Sequence, residues 1–114
     1  MIEATYKMTD SDKQMVNDFN IQILNEYGRY LKTIENYTKL EIILKAKKIA
    51  FMQCMRDYIV DDESLSLRQI YKLSHQYNLL HECLKVYEKD CDRFGFYEYD
   101  PMEIIRIVMQ DDDF

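Results

Sequence analysis

Apolar residues recur at steps of three and four along most of the chain, so the pattern predicts helices rather than strands. From about Asp12 to about Asn36, Val16, Phe19, Ile23, Leu24, Tyr27, Tyr30, Leu31 and Ile34 form one wide stripe. Ser11 is the expected N-cap of this first helix, with Asp10 and Asp12 favourable beside a helix N-terminus. Gly28 interrupts it at a cost of about 1 kcal/mol against Ala, and is expected to mark a close helix crossing.

Asn36-Tyr37-Thr38 predicts a short break. Thr38-Lys39-Leu40-Glu41 fits a capping box, in which the Thr hydroxyl accepts from a free backbone N–H and the Glu side chain reaches back to the cap. A second helix then runs from Lys39 to about Val60. Its apolar residues surround most of its circumference, which makes it the expected central and most buried helix. The break holds neither Gly nor Pro, so one continuous helix is the alternative.

Asp61-Asp62-Glu63-Ser64 reads as a loop, and Ser66 to Gln69 offers another capping box. A third helix is expected from Leu67 to about Phe94. Its seam of Ile70, Leu73, Tyr77, Leu80, Leu84, Tyr87, Cys91 and Phe94 alternates three and four. Gly95 suits the left-handed position just past its end. Asp100-Pro101-Met102-Glu103 then starts a short fourth helix carrying Ile104, Ile105, Ile107 and Val108. The expectation is an all-α fold: one domain, an elongated bundle of three long antiparallel helices plus a short C-terminal helix. Residues 1–9 are expected to form a flexible arm and 111–114 a frayed acidic tail.

Composition agrees. The 114 residues include only 2 Gly and 1 Pro, too few for sheets joined by tight turns. A hydrophobic fraction of 47% excludes global disorder. The abundance of Ile, Lys, Asp and Tyr over Gly, Ala and Pro is a bias that AT-rich genomes encode, as in many phages and viruses. Three cysteines, Cys54, Cys83 and Cys91, lack framework spacing and read as reduced thiols of a cytoplasmic protein. No signal peptide and no membrane-spanning run is read, so no membrane is expected.

Charge is uneven. Residues 1–60 hold 9 basic and 8 acidic groups, whereas 61–114 hold 6 basic and 13 acidic. That imbalance argues against nonspecific nucleic-acid binding, which relies on cations neutralising phosphates. Lys45, Lys48 and Arg56, with Lys47 beside them, form a basic face that could touch phosphates, or else be solvated or meet an acidic neighbour.

Candidate chemistry is sparse. No glycine-rich phosphate loop and no Cys-x-x-Cys pair exists, and His81 and Cys83 fall on different helix faces, so no cofactor and no metal is expected. Arg68 and His75 lie seven residues apart, which returns to nearly the same face of one continuous helix. That octapeptide resembles the Arg-x(4–6)-His motif of HEPN-domain ribonucleases, small all-α proteins. The resemblance implies RNA cleavage across a dimer, with Arg68 and His75 as the acting pair.

The remaining candidates are contact residues. Phe96, Tyr97 and Tyr99 form an aromatic connector suited either to a partner interface or to closing the end of the bundle. Met52 and Met55 could line an adaptable groove, or fill the core. The apolar faces exceed what three helices easily hide. The sequence therefore reads first as a non-catalytic adaptor, regulator or inhibitor that binds an unidentified protein and could form a homodimer. The alternatives are the ribonuclease and a purely structural homo-oligomer.

Overall fold

The computed structural model describes residues 8–61, 65–91, 99–111 and 114, with only the backbone of 90 and 91. Among them are six α-helices, one π-helical turn and no strand. In chain order these are α1 (Asp10–Ile34), α2 (Lys39–Leu44), α3 (Ala46–Val60), α4 (Leu67–Leu73), α5 (Leu79–Val86), the π turn (Tyr87–Cys91) and α6 (Pro101–Met109). The molecule is elongated, 51 × 28 × 24 Å.

The first helix forms where its stripe predicts, but its cap is Thr9 rather than Ser11. The Asp12 N–H donates to Thr9 Oγ1 at 3.0 Å, and the Thr9 N–H donates to Asp12 Oδ2 at 3.1 Å. This reciprocal pair places Ser11 inside the first turn. The stripe is narrower than expected: Phe19 and Ile23 are buried, while Leu24 and Leu31 face outward. The break after α1 is real, and Thr38 and Glu41 form their capping box at 3.1 Å in both directions.

The second and third expected helices are each broken. Lys45 leaves helical geometry at φ −105°, ψ 12°, and separates α2 from α3. The third expected helix stops at Leu73, and Asn78 adopts left-handed geometry at φ 54° before α5 begins. Ile70, Leu73, Leu80, Leu84 and Tyr87 of the predicted seam are buried, but Tyr77 falls in the break and is 80% exposed. A seam read as one helix cannot keep its phase through a five-residue turn. Phe94 and Gly95 lie outside the described residues.

Neighbouring side chains fix the helix directions. Val16 lines one cleft with Val60, while Tyr30 lines another with Met52, so α3 runs antiparallel to α1. Gln22 donates to the Gln76 carbonyl, and Glu26 meets the start of α5, so α4 and α5 run in the direction of α1. Helix α6 starts on the Asp100 cap and packs along α5. Its end turns back onto α4, where Lys72 pairs with Asp111 at 3.2 Å and Gln69 donates to the Phe114 carbonyl at 2.6 Å. Phe114 is buried, so the expected frayed end is instead anchored by its last ring. The expected arm lies outside the described residues up to residue 7.

Glu26 is the one buried charged residue among those described, only 7% exposed. Its Oε1 accepts from the Leu80 N–H at 3.0 Å and its Oε2 from the His81 N–H at 2.7 Å. Asn78 makes no side-chain cap, so a carboxylate from α1 caps α5 in its place. Charge-assisted bonds of this kind contribute about 1.5–3 kcal/mol each when buried.

Two stability measurements follow from these positions. A Cβ added at Gly28 would meet nothing within 4 Å, so no close crossing occurs there. Gly28→Ala should therefore stabilise the protein by about 1 kcal/mol, read as a higher urea midpoint at unchanged slope. Glu26→Ala should destabilise it by about 3 kcal/mol, because two helix N–H groups lose their acceptor. Glu26→Gln should fall between, since its amide keeps one acceptor oxygen and loses the charge.

Candidate docking surface

The cap and the break together create an exposed apolar face. Leu40, Ile43 and Leu44 stand at i, i+3 and i+4 of α2, so they share one side of the helix. They are 64%, 69% and 74% exposed. No residue of α2 is buried. This overturns the expectation that the whole 39–60 segment is the most buried helix. Only its second part meets that expectation, with Phe51, Met52, Met55 and Ile59 in the core. The irregular geometry at Lys45 is the cause, because it ends the regular register that would have carried Leu40 and Leu44 into line with Phe51 and Met55.

Basic residues outnumber acidic ones along the chain on either side of α2. Residues 29–48 hold six basic side chains (Arg29, Lys32, Lys39, Lys45, Lys47, Lys48) and two acidic ones (Glu35, Glu41). The basic face predicted for the 39–60 segment is partly occupied within the molecule. Lys45 sits 4.9 Å from the Tyr37 ring centroid, Lys48 pairs with Glu88 at 3.1 Å, and Arg56 pairs with Asp57 while covering Tyr27. The Lys48 pair is the acidic-neighbour arrangement among the options for that face.

The predicted contact residues are dispersed. Met55 is fully buried, and Met52, 2% exposed, forms part of the floor of a shallow cleft of about 380 Å³ beside Glu26 and Tyr30. Both act as core filler in this fold. Tyr99 is half-buried and packs edge-on to Phe51 and Tyr87, with centroids 5.0 and 5.6 Å away. It closes the end of the bundle rather than projecting from it. Phe96 and Tyr97 lie outside the described residues.

Arg68 and His75 do not share a helix, because α4 ends at Leu73. Arg68 is exposed on α4. His75 lies in the following turn, its Nδ1 2.8 Å from the Tyr71 carbonyl and its ring edge-on to Tyr71. That contact needs the proton on Nδ1 and commits the ring to a local turn. The geometric premise of the ribonuclease resemblance, two side chains one above the other on one helix, is therefore not met. Among the described residues no three His, Cys, Asp or Glu side chains gather as a metal would require, and no helix is long and apolar enough to cross a membrane.

Sequence reasoning missed two features. Glu26 was legible as a charge in phase with Phe19, Ile23 and Tyr30, but the N–H donors it accepts from lie 54 and 55 residues away. The α2 face looks like a core face in sequence, because apolar character alone does not distinguish a buried side from a bare one.

The thiols differ sharply. Cys54 is exposed and Cys83 is buried. Burial pushes the Cys83 thiol well above its ordinary range, with the nearby Glu26 carboxylate adding to the effect. Iodoacetamide on the native protein should therefore label Cys54 and spare Cys83 until denaturant is added, as read by peptide mass mapping. Equal labelling of the two would show that α5 opens readily from the core.

Compared with known protein families, curated proteins and solved structures, the chain matches none.

Proposed function

We propose that the protein is a non-catalytic binding module, an adaptor or modulator, that docks on another protein through the apolar face of α2. The observation that carries this reading is the exposure of Leu40, Ile43 and Leu44 on one side of a capped helix. Fully burying an aliphatic side chain contributes about 1.5–3 kcal/mol, so three left bare at one place represent a large unused driving force. Single exposed apolar residues are ordinary, whereas a contiguous set on one face marks an interaction site. Helical anchors at i, i+3 and i+4 are a recurrent way of entering an apolar groove.

The test joins stability to contact. The double variant Leu40→Ser with Ile43→Ser should keep its folding free energy to within about 0.5 kcal/mol, because these side chains support little of the core. A photo-crosslinking residue at position 43, introduced in cells that make the protein, should yield a discrete heavier adduct. The same residue at Tyr77, which is also exposed but far from α2, should not. A large loss of stability in the double variant, or no adduct at position 43, would overturn the reading.

A further inference from the structure

We infer that residues 67–86 form a two-state element. In it α4 and α5 interconvert between the observed bend and one continuous helix, and Gln22 and Glu26 of α1 are the latch that holds the bend. The inference is independent of what α2 docks on.

The bend has no local enforcer. Ser74-His75-Gln76-Tyr77-Asn78 contains neither Gly nor Pro. Asn78 takes a left-handed backbone, φ 54° and ψ 47°, which is sterically costly for an L residue and which Asn tolerates better than most. The apolar spacing also runs through the bend without a change of step, from Ile70 and Leu73 through Tyr77 to Leu80 and Leu84. Leu73 and Leu80, both fully buried, are one heptad apart, and a straight helix brings such a pair to within about 20° of each other. Straightening therefore leaves both flanking faces on the core.

Side chains hold the bend by standing in for the helix's own bonds. In a continuous helix the Leu80 N–H would donate to the Gln76 carbonyl. Here α1 takes both ends of that bond. Glu26 Oε1 accepts from the Leu80 N–H at 3.0 Å, and Gln22 Nε2 donates to the Gln76 carbonyl at 3.3 Å. Glu26 Oε2 likewise holds the His81 N–H at 2.7 Å. On the α4 side, the Tyr71 carbonyl would accept from the His75 N–H. It accepts instead from the Ser74 hydroxyl at 2.6 Å and lies 2.8 Å from His75 Nδ1, while the His75 N–H turns to the Lys72 carbonyl at 3.3 Å.

The spacing of the latch matches the straight form as well. Gln22 and Glu26 are four residues apart on α1, as Gln76 and Leu80 would be on one helix, roughly 6 Å in each case at 1.5 Å per residue. The two helices need not slide along α1 to join. Straightening completes the backbone ladder and relieves Asn78, but it takes from a buried carboxylate its two donors. These opposed effects make the element bistable, with the bend as the favoured form. Tyr77 is what the exchange controls. It is 80% exposed in the bend, whereas one helix would set it between Leu73 and Leu80 on the buried seam.

NMR relaxation dispersion on the full chain reads the exchange directly. The wild type should show microsecond-to-millisecond exchange concentrated at residues 74–81. Asn78→Gly should suppress it several-fold, because Gly adopts the left-handed backbone without strain and so favours the bend. Glu26→Leu combined with Asn78→Ala removes the latch and the residue that tolerates the bend. Its Cα chemical shifts should turn helical through 74–78, and nitration of Tyr77 by tetranitromethane, followed by peptide mass mapping, should slow several-fold against the wild type. The first two profiles need no destabilised variant, so they decide the matter if the double variant does not fold. A flat profile across 74–81 in the wild type would overturn the inference, as would exchange there that Asn78→Gly leaves unchanged. A folded double variant whose residues 74–78 stay non-helical, or whose Tyr77 reacts as fast as before, would overturn it too.

Discussion

The arrangement of this fold depends on a single carboxylate. Glu26 accepts two backbone N–H bonds at the start of α5, within a core from which other charges are absent among the described residues. Burying a carboxylate is costly unless its oxygens are satisfied, and a helix N-terminus supplies both donors and a favourable field. The pairing also has a geometric consequence. It fixes α5 along α1 at one register, so that Leu80, Cys83 and Leu84 face the core formed with Phe51 and Met55. The break at residues 74–78 is what makes the pairing possible. A continuous helix would have satisfied the Leu80 and His81 N–H groups internally and left Glu26 with no partner.

The same logic of ends and caps explains the rest of the architecture. Every α-helix but α3 and α5 starts on a side-chain cap, at Thr9, Thr38, Ser66 and Asp100. α5 borrows its cap from another helix, and α3 begins at the irregular Lys45. Chain direction therefore alternates with little help from glycine or proline. The molecule closes at its far end when Phe114 is buried and its carbonyl accepts from Gln69, which ties the last residue to the first turn of α4.

Much of this was legible in the sequence. The break at residues 35–38, the boxes at Thr38 and Ser66, and the Asp100-Pro101 start were set by local chemistry, and local chemistry is what a sequence displays. The interruptions at Lys45 and at residues 74–78 were not legible, because neither carries a glycine or proline and the apolar spacing continues across both. Long-range partners were hidden for a different reason. Nothing near Glu26 in the chain announces that its acceptors bind residues 80 and 81. The predicted contact residues fared unevenly on similar grounds: methionine at helical spacing fills cores, and Met52 and Met55 do so here, while the bare face of α2 looks the same in sequence as a buried one.

The irregular residue at Lys45 has one more implication, concerning change over time. It uncouples six residues from the demands of packing. Substitutions in the core must preserve volume and shape, whereas Leu40, Ile43 and Leu44 are mostly exposed and carry little of that demand. The surface of α2 can therefore be altered, or exchanged for another short capped helix, without taxing the scaffold. In this protein the part that holds the fold together and the part that is free to acquire new contacts meet at a single backbone kink.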